Sequence, residues 1–178
     1  MNPMISVANE PQARALVPEL SEILSDSIAG GASVGFMADA GAAEIERYWH
    51  GIVDRVATGD VLLLVARLEG RLVGTAQLHL IGKANQPHRA EVAKVLVHAS
   101  ARRRGVGAAL MGEIETLARL HGRDLLVLDT DADSEARRLY GRLGWTEVGT
   151  IPRYALMPDG ADCAATFFYR DLRAAAGG

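Results

Sequence analysis

The spacing of apolar residues in the first third of the chain predicts two amphipathic helices. Apolar residues recur every three or four positions from 11 to 28 and again from 42 to 58, which places each set on one helical face. Pro18 is expected to shift the start of the first helix or to kink it. Glycine is frequent between the two segments, from Gly30 to Asp39, so this stretch is predicted to be a loop.

Shorter apolar runs predict a strand-rich remainder of the chain. Runs at 61–67 and 72–81 flank Glu69-Gly70-Arg71 and predict an antiparallel hairpin. The remaining elements are expected to be a strand at 90–98, a helix at 104–121, a strand at 125–130, a helix capped by Asp133 or Ser134, and strands at 146–154 and 164–172. The strand–helix–strand unit from 90 to 130 should be parallel and right-handed, and the other strands antiparallel.

Composition indicates one globular domain that covers residues 1–178. Of the 178 residues, 49% are apolar and 23% are charged, values typical of a chain that buries one core. The net charge of −3 argues against nucleic-acid binding, which usually needs a basic face.

No apolar run approaches about 18 residues, so no membrane association is expected. Cys163 is the only cysteine, which excludes an internal disulfide and favours a cytoplasmic location. The histidines lack metal-ligand spacing, so no metal is expected.

The stretch with the clearest chemistry runs from Arg102 to Ala108 and reads RRRGVGA. It lies between a predicted strand and a predicted helix, where unpaired amides and the helix dipole favour an anion. The glycines permit close approach of the backbone, and the arginines add charge-assisted contacts to phosphate. These features predict a diphosphate site, although neither the Rossmann nor the P-loop pattern is present. The alternative is a basic loop that leads into an ordinary glycine-rich helix start.

The pattern R-x-x-G-x-G-A after an apolar strand resembles the coenzyme A signature of the GNAT N-acetyltransferase family. Its surroundings agree, because a helix, a buried strand and a helix with Tyr140 lead to Leu143-Gly144-Trp145, which is similar to the family's frequent Leu-Gly-Phe. Within the family, the segments GGASVGFMAD, RAEVAKVLVH, LLVLDT and MPDG resemble the tabtoxin-resistance subgroup. The helix SEARRLYGRLGW resembles the wider family instead.

The resemblance implies an α+β fold of three layers that binds acetyl-CoA as cosubstrate. The central sheet would be mixed and mostly antiparallel, with helices on both faces, and a splayed pair of parallel strands would hold the cofactor. The pantetheine arm would pair with the first of these strands, and an N–H of Leu96 or Val97 would polarise the thioester carbonyl. The implied cofactor-binding residues are Val95, Leu96, Val97, Arg102, Arg103, Arg104, Gly105, Val106, Gly107, Ala108 and Tyr140.

The resemblance also implies the residues that act on the acceptor. Tyr140 matches the family's usual general acid, and its alternative role is that of a core tyrosine. Glu91 opens the motif strand and Asp129 ends the next one, and either could take the amine's proton, through water, or bind an ammonium group. The alternatives are a surface charge for Glu91 and a loop or helix-cap role for Asp129. The acceptor pocket is expected to be lined by Ser33, Val34, Gly35, Phe36, Met37 and Trp49, together with the two carboxylates. For the apolar residues among these, plain core packing is the alternative.

The predicted function is transfer of an acetyl group from acetyl-CoA to the amine of a small molecule by direct attack in a ternary complex. The acceptor could be an antimetabolite similar to tabtoxinine-β-lactam, and the enzyme could form a homodimer. Two alternatives stay open. The first is a sensor of acyl-CoA, or an interaction module, that does not turn over. The second is a protein or peptide acetyltransferase, which would need an open, negatively charged groove in place of a closed pocket under residues 33–37.

Overall fold

The computed structural model describes residues 2–173, which form seven strands and five α-helices around one sheet. In chain order the elements are β1 (Met4–Ala8), α1 (Glu10–Ala15), α2 (Val17–Ala29), α3 (Ala42–Thr58), β2 (Val61–Leu68), β3 (Arg71–Leu80), β4 (Arg89–Val97), α4 (Val106–Leu120), β5 (Leu125–Asp131), α5 (Glu135–Arg142), β6 (Thr146–Leu156) and β7 (Asp162–Asp171). A short 3₁₀ turn, Ala99–Ala101, joins β4 to the loop before α4.

The sheet is mixed and mostly antiparallel, as the sequence predicts. Its strand order is β1-β2-β3-β4-β5-β7-β6, so β7 lies between β5 and β6. The pair β4–β5 is parallel, and every other neighbouring pair is antiparallel. One parallel junction in the middle of the sheet therefore separates an antiparallel block of four strands from an antiparallel block of three.

The first helical segment differs from its prediction. The segment expected at 11–28 is two helices, α1 and α2, which meet at Leu16. Pro18 is in the first turn of α2, where a missing N–H costs no helical hydrogen bond. A capping box of Asn9 and Gln12 starts α1. The edge strand β1 was not predicted, because three of its five residues are exposed and no alternation marks it.

Helices cover both faces of the sheet. One core cluster packs α4 and α5 on one face, and a second packs α1, α2 and α3 on the other. Strand residues alternate between the two clusters; Leu64 joins the first cluster and Leu63 the second. Both faces are therefore buried around the β4–β5 junction, which confirms the three-layer arrangement.

Gly74 in β3 lets α4 approach the sheet closely. A Cβ at this position would lie 3.0 Å from Val106 Cγ1 and 3.1 Å from the Leu96 carbonyl oxygen. Gly74→Ala is therefore expected to lower the free energy of unfolding by about 1–3 kcal/mol through overpacking, measured by urea denaturation. The control is Gly112→Ala on the exposed side of α4, which has open space around it and should gain up to about 1 kcal/mol. Equal effects of the two substitutions would contradict this packing account.

Candidate active site

The parallel strands β4 and β5 separate soon after they pair. Their pairing covers Arg89–Glu91 opposite Leu125–Val127. Beyond Glu91, β4 stays paired with β3, but the register changes between Ala93 and Leu96. This shift is a β-bulge, and it coincides with a left-handed backbone at Lys94, where φ is 50°. Bulges bend the strand that carries them, so the pair opens into a gap between β4 and β5.

The part of β4 beyond the bulge presents backbone groups to this gap. The Leu96 carbonyl oxygen lies on the β3 side, 3.1 Å from the position of a Cβ on Gly74, and His98 N–H donates to Val73 in β3. Because peptide direction alternates along a strand, Val95 and Val97 turn their peptide groups to the gap, while Leu96 faces β3. The Val97 carbonyl accepts a hydrogen bond from Arg102 Nε at 3.2 Å, which leaves its N–H as the group available to a ligand.

The N-terminus of α4 has the free backbone amides on which the predicted diphosphate site depends, and this helix start is called the cradle below. Gly105 is the N-cap with φ 78°, and Arg103 is also left-handed with φ 59°. The first helical bond runs from Ala109 N–H to the Gly105 carbonyl at 3.0 Å. The amides that start the helix before Ala109 have no helical acceptor, and the helix dipole adds positive potential there. A diphosphate fits this arrangement.

The three arginine side chains before α4 are directed to carboxylates of the chain itself. Arg102 lies 3.5 Å from Asp26, Arg103 lies 3.1 Å from Glu135, and Arg104 lies 3.9 Å from Glu69. All three guanidinium groups are substantially exposed. In this arrangement the backbone rather than the arginine side chains forms the cradle.

The second glycine of the motif also has a packing role. A Cβ on Gly107 would lie 3.1 Å from Leu139 Cδ2. This glycine therefore lets α4 and α5 approach each other, and that contact fixes α5 next to the gap.

Tyr140 lies in the core between α5 and the sheet, only 5% exposed. Its ring packs against Trp145 and Phe168, with centroid distances of 6.1 Å and 5.8 Å. Burial raises the pKa of its phenol, and the charge of Asp129 raises that pKa further. The phenol is thus held protonated close to the carboxylate of Asp129 in β5. The packing role and a role as hydrogen-bond donor at the gap are compatible.

The two candidate carboxylates have different surroundings. Glu91 forms an ion pair with Arg89, at 2.8 Å between Oε1 and Nη1. Asp129 has no ion-pair partner within 4.0 Å in the described part of the chain. Burial raises the pKa of Asp129, although Lys94 partly opposes the shift. Since both side chains are open to solvent and lie on the face of α3, Asp129 is the carboxylate that is free to act on a ligand.

The loop 33–37 lies beside this face of the gap, next to Lys94. Ser33 Oγ donates to the Leu156 carbonyl at 2.9 Å, and Ala38 N–H donates to the Pro158 carbonyl at 2.9 Å. The loop is therefore fastened to the turn between β6 and β7. Gly35 of the loop lies close to Lys94, since a Cβ on Gly35 would be 3.6 Å from Nζ.

Phe36 and Val34 pack against the second core cluster, whereas Met37 is 40% exposed.

The expectation that Trp49 lines the pocket is wrong. Its side chain is fully buried in the second core cluster, because it occupies the inward face of α3. The neighbouring Tyr48 lies nearer the loop. Its ring centroid is 5.4 Å from that of Phe36, and the two rings pack edge to face.

A polar network under the loop escaped the sequence analysis. Arg55 donates to His79 Nδ1 at 3.1 Å, His79 Nε2 bonds Gln77 Oε1 at 2.9 Å, and Gln77 Nε2 donates to the Tyr48 hydroxyl at 3.0 Å. These partners fix the neutral tautomer of His79. Burial, and to a smaller extent the charge of Arg55, lowers the pKa of His79 to about 4. Burial also raises the pKa of Tyr48 to about 12.

Two signals in the sequence could have indicated this network. Gln77 and His79 are two positions apart in a strand, and Tyr48 and Arg55 are seven apart in a helix, so each pair shares a face.

Within residues 2–173, no group of three or more His, Cys, Asp or Glu side chains is arranged to hold a metal ion. Among the helices of the same residues, none combines the length and apolarity that a membrane crossing requires.

Comparison with solved structures supports the fold. The ribosomal-protein-alanine N-acetyltransferase of Brucella melitensis superposes with a TM-score of 0.76 at 24% identity, covering 95% of this chain and 99% of that chain. A structure from Salmonella typhimurium that contains acetyl-CoA as its cofactor superposes with a TM-score of 0.77 at 20% identity, covering 97% and 95%. These structures share the architecture described above, so the fold predicted from the sequence is confirmed.

Comparison with sequences identifies the family. A relative from Azospirillum brasilense, described as an uncharacterized N-acetyltransferase in the hisH-hisA intergenic region, is 31% identical over 113 residues. The aligned part spans 62% of this chain and 66% of that relative. The model of the acetyltransferase (GNAT) family matches residues 35–145, which include β4, the cradle at α4, β5 and Tyr140. The expected class of N-acetyltransferase, with acetyl-CoA as its cosubstrate, agrees with these matches. Since the matched segment is more than half of the chain and contains the whole gap, this protein belongs to the acetyltransferase (GNAT) family.

Proposed function

We propose that the protein transfers the acetyl group of acetyl-CoA to the amine of a small molecule by direct attack within a ternary complex. One observation carries this proposal. The gap between β4 and β5 has free amides at the start of α4 on one side, and Asp129 of β5 and Tyr140 of α5 lie near it. A thioester placed in the gap would therefore meet a free carboxylate and a protonated phenol.

The residues of the gap fit coenzyme A. The α4 cradle would hold the diphosphate, and the peptide groups of Val95 and Val97 would pair with the amide-bearing arm, as an added strand pairs with a sheet edge. When bound, the cosubstrate supplies an acetyl group activated as a thioester. The Val97 N–H is the proposed donor to the oxygen that gains negative charge during transfer.

Asp129 is the proposed base. An amine must lose its proton before or during attack, and a carboxylate can remove that proton directly or through one water. The pKa of Asp129 is raised, which brings it closer to neutral pH and makes it a better base than an ordinary carboxylate. Glu91 is tied to Arg89 and is proposed to shape the acceptor site by its charge.

Tyr140 is the proposed donor to the departing sulfur. Its phenol stays protonated over the neutral range because burial and Asp129 raise its pKa. A hydrogen bond to the sulfur would stabilise the negative charge that develops as the carbon–sulfur bond breaks. The leaving thiol finally needs one proton, which balances the proton that the amine loses.

The fastened loop favours a small acceptor. Hydrogen bonds of Ser33 and Ala38 hold the loop at the β6–β7 turn, and Gly35 of the loop lies close to Lys94. A protein or peptide substrate needs an open groove at this place. The Brucella protein is described as acting on a ribosomal protein, but the fastened loop of this chain supports the small-molecule alternative, for which an antimetabolite of the tabtoxinine-β-lactam type is one candidate.

The test is an assay of thiol release from acetyl-CoA against a panel of small amines, including tabtoxinine-β-lactam, and a panel of peptides with free N-termini. The proposal predicts turnover with at least one small amine and only background release with the peptides. Turnover with peptides alone would show that the acceptor is a peptide or protein and not a small amine. Tight binding of acetyl-CoA without thiol release on any amine would favour a sensor.

A further inference from the structure

Lys94 is held in the acceptor site by an unusual backbone conformation. It lies in the bulge of β4 with φ 50°, a region that side chains other than glycine rarely adopt and that tends to occur at functional sites. A bulge also changes the direction of the side chain it carries. The Lys94 side chain extends to the α3 side, where its Nζ lies 5.4 Å from the centre of the Tyr48 ring.

The ammonium group of Lys94 is partly desolvated and has no close counter-ion. Burial lowers its pKa, and the charge of Asp129 only partly opposes this shift. No ion pair within 4.0 Å involves Lys94 in residues 2–173. A buried charge is costly unless it is paired, and contact with the face of a tyrosine ring compensates only part of that cost.

The neighbouring groups do not supply the missing anion. Glu91 is occupied by Arg89 at 2.8 Å, and His79 is neutral because its pKa lies near 4. Arg55 adds a further positive charge beyond His79. The site therefore contains a cation and, at a greater distance than an ion pair, the free carboxylate of Asp129.

Lysine is also rare in this chain. Of the 19 basic residues, Lys83 and Lys94 are the only lysines, and the remainder are arginines. Lys83 lies in an exposed loop. Lys94 is therefore the lysine that lies at this site, where its ammonium is a compact charge with three hydrogen-bond donors on a flexible side chain.

We propose that Lys94 binds an anionic group of the acceptor and thereby selects small amines that also carry a carboxylate or a similar oxyanion. The amine of such a zwitterion would lie at Asp129 and its anion at Lys94. This inference rests on the proposed function and makes it more specific, since the acceptors would resemble amino acids. Lys94 is a specificity-determining residue in this account, and it takes no proton from the amine.

The kinetic test uses matched pairs of primary amines, namely amino acids and their carboxamides, with saturating acetyl-CoA. The wild-type protein should prefer the carboxylate member by about 10–100-fold in kcat/KM, the effect of one hydrogen bond to a charged group. Lys94→Met should remove this preference through KM, and Lys94→Arg should restore part of it. Lys83→Met is the matched control and should leave the preference unchanged.

Three kinetic results would overturn the inference. Indifference of the wild-type protein to the carboxylate would refute it while leaving the proposed function intact. An equal loss for both members of each pair in Lys94→Met would show that Lys94 acts on Asp129 instead of on the acceptor. If acetyl-CoA binds and no amine is acetylated, the proposed function fails and the inference fails with it.

A spectroscopic test does not depend on turnover, and the Lys83→Met variant assigns its two signals. Labelling with lysine that carries ¹³C at Cε should give two side-chain signals, because the chain has two lysines. In the presence of coenzyme A, the carboxylate member of a pair should shift the Lys94 signal, and the carboxamide should not. Lys83 serves as the internal reference. A Lys94 signal that responds equally to both members would contradict the inference.

Discussion

Asp129→Asn is expected to lower kcat/KM for the best amine acceptor by about 100-fold or more, the usual scale for loss of a general base. The asparagine keeps the size and hydrogen-bonding capacity of the side chain but cannot accept the proton of the amine. Its affinity for coenzyme A should change little, because the cradle at α4 belongs to a different part of the gap. Steady-state kinetics and calorimetry on the same preparation measure the two effects separately.

The matched control is Glu91→Gln, which removes the other carboxylate on the same face. Because Glu91 is already paired with Arg89, we expect a clearly smaller loss than for Asp129→Asn. In the wild-type protein, kcat/KM should rise with pH as Asp129 loses its proton, with a midpoint above the ordinary value of 3.8 because burial raises its pKa. The reverse order of the two variants would assign the base to Glu91.

Tyr140→Phe is expected to reduce kcat by about 10–100-fold, as loss of a hydrogen-bond donor or acid usually does. The substitution removes only the hydroxyl, so the ring can keep its contacts with Trp145 and Phe168. Coenzyme A affinity and the melting temperature should therefore stay close to those of the wild-type protein. Stopped-flow measurement of thiol release at saturating substrates reports the chemical step directly.

Tyr169→Phe provides the control for loss of a tyrosine hydroxyl. Tyr169 lies on β7 and is 37% exposed, and the proposed chemistry does not use it. Its rate should match that of the wild-type protein. If Tyr140→Phe also retained the wild-type rate, Tyr140 would have a packing role only.

The parts of the fold that the sequence predicted well depend on local signals. The apolar period of α3 and the glycine after it gave both ends of that helix, at Ala42 and Thr58. The sequence signal for the cradle is also local, because the glycines, the helix start and the preceding strand are adjacent in the chain. The parallel pair β4–β5 followed from a strand, a helix and a strand in succession.

The parts that the sequence did not reveal depend on tertiary placement. The insertion of β7 between β5 and β6 leaves no local trace, since an antiparallel pair of final strands fits several sheet orders. A tryptophan is equally suited to line a pocket or to fill a core, and only the packing of α3 shows that Trp49 fills the core. Lys94 was overlooked because the bulge that redirects its side chain is not visible in an apolar strand pattern.

The central claim is that backbone amides at the start of α4 hold a diphosphate. Ala108→Pro removes one of these N–H groups at the third residue of α4, and Ala42→Pro removes one at the first residue of α3, where proline is best tolerated. Circular dichroism and the melting temperature verify that α4 stays folded in Ala108→Pro, because proline disfavours a helical conformation of the residue before it. Isothermal titration calorimetry with coenzyme A should show one site in the wild-type protein, an affinity about tenfold or more weaker in Ala108→Pro, and wild-type affinity in Ala42→Pro. Unchanged binding by Ala108→Pro, or no binding by the wild-type protein, would contradict the account.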